Sequence, residues 1–143
     1  MRWTATLPVA ILLLASCAER MPRADVAAAF AGSISVCAVN ADKKAYLGKT
    51  VLVRGQIVSN MEYSGLAGRE CPGRGIVLEG SLEPGDDPRA WRALGDALRG
   101  NPDRRVDVVY RARLDRHHRL TNCESEGCYR YYLVSSLVAV RDR

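Results

Sequence analysis

Residues 46–59, YLGKTVLVRGQIVS, constrain the fold of this chain more than any other stretch. Val51, Val53 and Ile57 alternate with Leu52, Arg54, Gln56 and Val58. A period of two places the first set on one face of a strand and the second set on the other. Gly48 marks the turn into the strand. Gly55 sits inside it, where an isolated glycine commonly marks a bend or bulge. The stretch reads as the opening strand of a small β-barrel, with Gly55 as a corner rather than a ligand contact.

The chain downstream supplies further strands and one well-delimited helix. Residues 60–75 are glycine-rich and predict a second strand around 61–66, closed by turn signals at Pro72 and Gly73. Residues 75–82 predict a third. Asp87 then offers an N-cap and Pro88 a first helical residue, and Gly100 with Pro102 stops the helix. Trp91, Leu94 and Leu98 share its expected core face. Residues 105–114 alternate as a fourth strand, 115–127 form a polar loop, and 129–140 form a fifth strand with a bulge expected at Ser135 and Ser136. Before the opening strand, Ser35 and Asp42 can each cap a short helical turn.

The N-terminus reads as a targeting segment. Arg2 is followed by an apolar run over residues 7–15, which is shorter than the ~20 residues a membrane-spanning helix needs. Leu14-Ala15-Ser16-Cys17 resembles a bacterial lipobox. That resemblance implies cleavage after residue 16, diacylglycerol and palmitate on Cys17, and a membrane anchor without a transmembrane helix. Ala18 stands where an Asp would imply inner-membrane retention. The resemblance therefore implies the outer membrane of a Gram-negative envelope, facing the periplasm. The expected organisation is a signal peptide over 1–16, a lipid anchor and tether over 17–32, within which the alanine-rich residues 25–30 begin a short helix broken by Gly32, and one folded domain over 33–143.

With Cys17 lipidated, Cys37, Cys71, Cys123 and Cys128 remain, an even number in an oxidising compartment. Four cysteines allow three pairings. Cys37–Cys71 and Cys123–Cys128 is the expected one, the second pair stapling a hairpin loop that contains Gly127. By loop entropy the long bridge contributes roughly 3–4 kcal/mol and the short one roughly 2 kcal/mol.

The order strand, strand, strand, helix, strand, strand matches a five-stranded Greek-key barrel. The run SVCAVNADKKAYLGKTVLVRGQIVS resembles the opening of small exported OB-fold lipoproteins, in which a cysteine-containing lead-in and a turn like Tyr46-Leu47-Gly48-Lys49 precede a V-x-V-x-G strand. The resemblance implies a mainly β fold: a five-stranded OB-like barrel with one helix between its third and fourth strands and a short helical lead-in. The loop after the fourth strand departs from it, carrying His117, His118, Cys123 and Cys128.

The motifs for acyl transfer, zincin chemistry and phosphate binding are absent from the sequence, so no catalytic residue, metal ligand or cofactor is assigned. His117, His118, Cys123 and Cys128 have the residue types of a zinc site but not its spacing. Arg111 and Arg113 with Tyr129 and Tyr131 suggest a basic aromatic surface, joined by Arg116, Arg119, Arg130 and Tyr132. OB barrels use such surfaces for single strands of nucleic acid. Export, a net charge of only +5, and Glu124 and Glu126 inside the patch favour anionic lipid or polysaccharide at a membrane instead, and the expected partner is an envelope protein or glycan. The expected function is a membrane-anchored, non-catalytic binding or assembly module. The alternative is an envelope enzyme or metal-handling protein built on the loop over 117–128.

Overall fold

A computed structural model describes residues 20–59, 64–119 and 121–141. Cys17 and the expected signal peptide lie outside the described residues, as does Met61 at the expected start of the second strand. Within them the chain is mainly β, with a six-stranded mixed sheet rather than the five strands expected.

The opening strand, β2 (Thr50–Ser59), follows three short helices and a two-residue strand: α1 (Arg23–Ala31), β1 (Ile34–Ser35), α2 (Val36–Ala41) and α3 (Lys43–Tyr46). Both predicted caps form. Ser35 Oγ accepts from the Cys37 N–H at 3.1 Å, and Asp42 Oδ1 accepts from the Ala45 N–H at 3.1 Å. β1 is the uncounted strand. It pairs parallel to β2 through Ile34–Val53 and Ser35–Arg54. Two residues carry no periodicity, so nothing in the sequence separates them from the lead-in.

After β2 come β3 (Ser64–Gly68), β4 (Cys71–Leu78), α4 (Pro88–Leu98), β5 (Val106–His118) and β6 (Tyr129–Arg141). β2 pairs antiparallel with β3, β3 with β4, and β5 with β6, while β4 and β6 run parallel. β2 also pairs antiparallel with β5 over eight residue pairs, Thr50–Arg113 to Ile57–Val106. The hydrogen bonds therefore run in a closed circuit, β2-β3-β4-β6-β5-β2.

The circuit encloses one core. Val53, Leu66, Val108, Leu114, Leu133 and Leu137 are all at most 1% exposed. Burying each leucine contributes roughly 1.5–3 kcal/mol relative to leaving it in water. α4 covers this core with Ala90, Leu94 and Ala97, and α2 covers it with Val36 and Val39. Trp91, expected on the core face of α4, is 59% exposed. A wide apolar stripe has two edges, and the small Ala90 and Ala97 let the helix approach closely along the other one. Asp87 caps α4 as expected, accepting from the Arg89 N–H at 2.8 Å.

The outer face of β2 is also covered. The short helix expected over residues 25–30 forms as α1, ending at Gly32, and its Phe30 packs with Val109, Ala139 and Leu52. That explains why β2 carries apolar residues on both faces. Gly55 is where β3 comes closest. A Cβ there would lie 2.7 Å from Leu66 Cγ and 2.8 Å from the Ala67 carbonyl oxygen.

The bulge expected at Ser135 and Ser136 lies elsewhere. Those two stay in register with Ala112 and Arg111, and the pairing shifts between Val109–Ala139 and Tyr110–Leu137, which leaves Val138 as the extra residue. The backbone there is bound from outside the ladder. The Leu137 N–H donates to Asp86 Oδ1 at 2.6 Å, and its carbonyl accepts from the Asp87 N–H at 2.8 Å.

Candidate functional site

β5 and β6 are longer than their neighbours. β2 reaches along β5 only to Arg113, and β4 pairs with β6 only at Tyr132 and Leu133. Beyond those points β5 and β6 continue against each other to the pair His118–Tyr129. The polar loop expected from residue 115 is therefore strand as far as His118. The result is a two-stranded arm, and the structure joins Cys123 to Cys128 at its tip, with Cα atoms 5.8 Å apart.

The register decides which side chains share a face, because directly paired residues point the same way. Arg116 pairs with Tyr131 and His118 with Tyr129. Asp115 pairs with Tyr132 and His117 with Arg130, on the opposite face. The four surface residues singled out by sequence are thus split. Tyr129 and Tyr131 share a face with Arg116. Arg111 and Arg113 alternate onto the other face, where each has a local partner. Arg113 holds Asp115 through Nε and Nη2, the latter at 2.9 Å, which raises its pKa further. Arg111 Nη2 donates to the Glu83 carbonyl at 3.3 Å.

On the Tyr129 face the side chains form a network. The Arg116 guanidinium lies 3.9 Å from the Tyr129 ring centroid, and the His118 ring lies 4.4 Å from the same ring. Arg116 Nη1 donates to the Tyr131 hydroxyl at 3.5 Å, and that hydroxyl donates to Glu126 Oε2. Lys44 stands 3.7 Å from Glu126, and Lys43 Nζ lies 5.5 Å from the centre of the Tyr131 ring. Burial pushes the Tyr131 pKa up, and its bond to Glu126 pushes the same way. The hydroxyl's hydrogen bond is the largest cause holding Glu126 below its ordinary range, and Lys44 and Arg116 add to it.

Sequence reading took Glu126 as an interruption of a basic patch. Its fold position makes it the hub that orders the patch. Lys43, Lys44 and Arg74 were missed, since α3 and β4 meet the arm only in three dimensions.

These elements frame a cleft of about 440 Å³ between the lead-in, β4 and the arm, bordered by Lys43, Arg74, Arg119, Arg130, Tyr129 and Tyr131. The Asn40 side chain donates to the Arg74 carbonyl at 2.8 Å and holds one wall to the other. Arg130 is 3.6 Å from Glu79. Arg74 and Arg119 are exposed and make no ion pair among the described residues. The cleft can therefore offer two uncommitted guanidinium groups and the edges of two immobilised phenol rings.

The other cysteine pair supports this wall. Cys37 of α2 is bonded to Cys71 at the start of β4, with Cα atoms 5.8 Å apart, so the lead-in is tied across the β3–β4 turn. With both thiols of the arm also bonded, Cys123 and Cys128 have no thiolate to give a metal, and the adjacent His117 and His118 point to opposite faces of β5.

Comparison with protein-family models, curated proteins and solved structures finds no match to this chain.

Proposed function

We propose that this chain is an envelope lipoprotein, anchored through acyl chains on Cys17, whose domain is an OB-like barrel that binds an acidic glycan in the cleft between lead-in, β4 and arm. The OB-like reading is supported by the closed circuit of β2 to β6, by the parallel β4–β6 pair, and by a helix in the β4–β5 connection. The observation that carries the ligand class is the pairing of unpartnered Arg74 and Arg119 with Tyr129 and Tyr131 on one concave surface. Guanidinium groups recognise carboxylates and phosphates by paired hydrogen bonds, and the phenol edges add a polar, partly apolar wall for the sugar rings. The alternative, a metal-handling loop, is opposed by the bonded state of its two thiols.

Calorimetry with polygalacturonate, and with neutral dextran as control, tests the ligand reading. The parent protein binds the acidic polymer, dextran does not bind, and Arg74→Glu with Arg119→Glu weakens binding at least about tenfold without changing thermal stability. Equal binding by parent and variant would overturn it. Labelling tests the anchor separately. Cys17→Ser takes up no palmitate and is released from membranes by high salt, whereas the parent requires detergent. Palmitate uptake by Cys17→Ser would end the lipobox reading.

A further inference from the structure

A second concave surface lies well away from the cleft in sequence, where α1 meets α4. It is a groove of about 690 Å³. Its floor is apolar, formed by Met21, Val26, Ala93 and Ala97, and its rim carries Arg20, Arg23, Arg89, Arg92 and Arg141. The one acidic residue lining it is Asp96, and that carboxylate is held by Arg99 at 2.8 Å. Two rim arginines are committed: Arg89 to Asp87 at 3.0 Å, and Arg141 to the Phe30 ring, 4.0 Å from its centroid. Arg20, Arg23 and Arg92 make no ion pair among the described residues and are exposed. Three unmatched cations around one groove repel each other unless an anion sits among them.

Neither the barrel reading nor the glycan cleft accounts for this surface. Core packing does not require it either, since the rim guanidinium groups stand in solvent. Arginine settles at a membrane–water interface, its stem along apolar surface and its cation on phosphate.

We infer that the α1–α4 groove binds the phosphate headgroups of anionic phospholipids and so seats the domain on the membrane surface in one orientation. Charge complementarity supplies the argument: five arginines, one neutralised acid and an apolar floor fit an anionic headgroup carried on an apolar body. The position of the groove agrees. Cys17 precedes Arg20 by three residues, a reach of at most about 11 Å in extended chain. In this one respect the inference rests on the anchoring reading, because an acylated Cys17 would hold the groove at the headgroup layer. The acyl chains would hold the domain at the membrane, and the basic groove, engaged at the same place, would fix its orientation there.

The test separates the two ideas by removing the acyl chain. The processed chain, residues 17–143 carrying Cys17→Ser, is mixed with vesicles of phosphatidylcholine alone, or with about a third phosphatidylglycerol, and sedimented. Binding to the anionic vesicles above the zwitterionic level is expected, falling as salt is raised. Each cation near an anionic surface contributes roughly a fivefold factor in affinity. Adding Arg23→Glu and Arg92→Glu is therefore expected to weaken binding by at least about 25-fold, whereas Arg74→Glu with Arg119→Glu, which changes net charge equally, leaves it within about threefold. Equal binding to both vesicle types overturns the inference. Equal loss in both charge-reversed proteins also overturns it, because net charge rather than the groove would then be responsible. Palmitate uptake by Cys17 is untouched by either result.

Discussion

Gly68 packs against both sulfurs of the Cys37–Cys71 bridge, and replacing it with alanine tests how that bridge is packed. A Cβ on Gly68 would overlap Cys37 Sγ and lie 2.8 Å from Cys71 Sγ, with Val36 Cγ1 next at 3.2 Å. Gly68 does not occupy a left-handed conformation, so alanine meets no backbone penalty there and only the contacts decide. A thiol could rotate away; two sulfurs bonded to each other cannot both do so. Overpacking of this kind costs about 1–3 kcal/mol and occasionally more. The ceiling is the bridge itself. Its sequence separation of 34 gives about 3.8 kcal/mol by the loop-entropy relation. Gly68→Ala is therefore expected to destabilise the domain by about 2–4 kcal/mol. In a Cys37→Ala, Cys71→Ala background the sulfurs are gone, only the Val36 methyl remains close, and the same change is expected to cost under about 1 kcal/mol. Urea unfolding of the four proteins under non-reducing conditions gives the cycle. A coupling of at least about 1 kcal/mol is expected. Effects that add within about 0.5 kcal/mol would refute the argument, since independent sites add to that precision.

Two further predictions concern carboxylates. Asp87→Ala removes the cap of α4 and is expected to cost about 1 kcal/mol by chemical unfolding at neutral pH. The Asp87 pKa is lowered chiefly by the Arg89 side chain, so its contribution is complete above the ordinary carboxylate range and lost as pH falls through that range; a difference between parent and variant that stays constant down to strongly acid pH would contradict this. Glu126→Gln cuts the hub of the arm. Because Glu126 titrates below its ordinary range, the gap in Tm between parent and variant is expected to be present at neutral pH and to close as the pH drops through the glutamate range. A gap that widens on acidification would rule out the hub role.

Local signals were legible in this chain. The alternation over residues 46–59, the caps at Ser35, Asp42 and Asp87, and the stop at Gly100 all involve residues within a few positions of each other, so the chain itself carries the information. The helix between the third and fourth strands of the circuit was legible for the same reason. What needed the tertiary structure was everything set by register and by meetings distant in sequence. A shift of one residue exchanges the two faces of a strand, so only the β5–β6 pairing could separate Arg111 and Arg113 from Tyr129 and Tyr131. The closed hydrogen-bond circuit depends on β2 meeting β5, whose paired residues, Ile57–Val106 to Thr50–Arg113, lie 49 to 63 positions apart. Lys43, Arg74 and Glu126 became parts of one surface only when α3, β4 and the arm were brought together, and Trp91 became exposed only when Ala90 and Ala97 took the core side of α4. Hydrophobic alternation specifies that a strand has an inside; which polar residues share its outside is decided by the neighbours it pairs with.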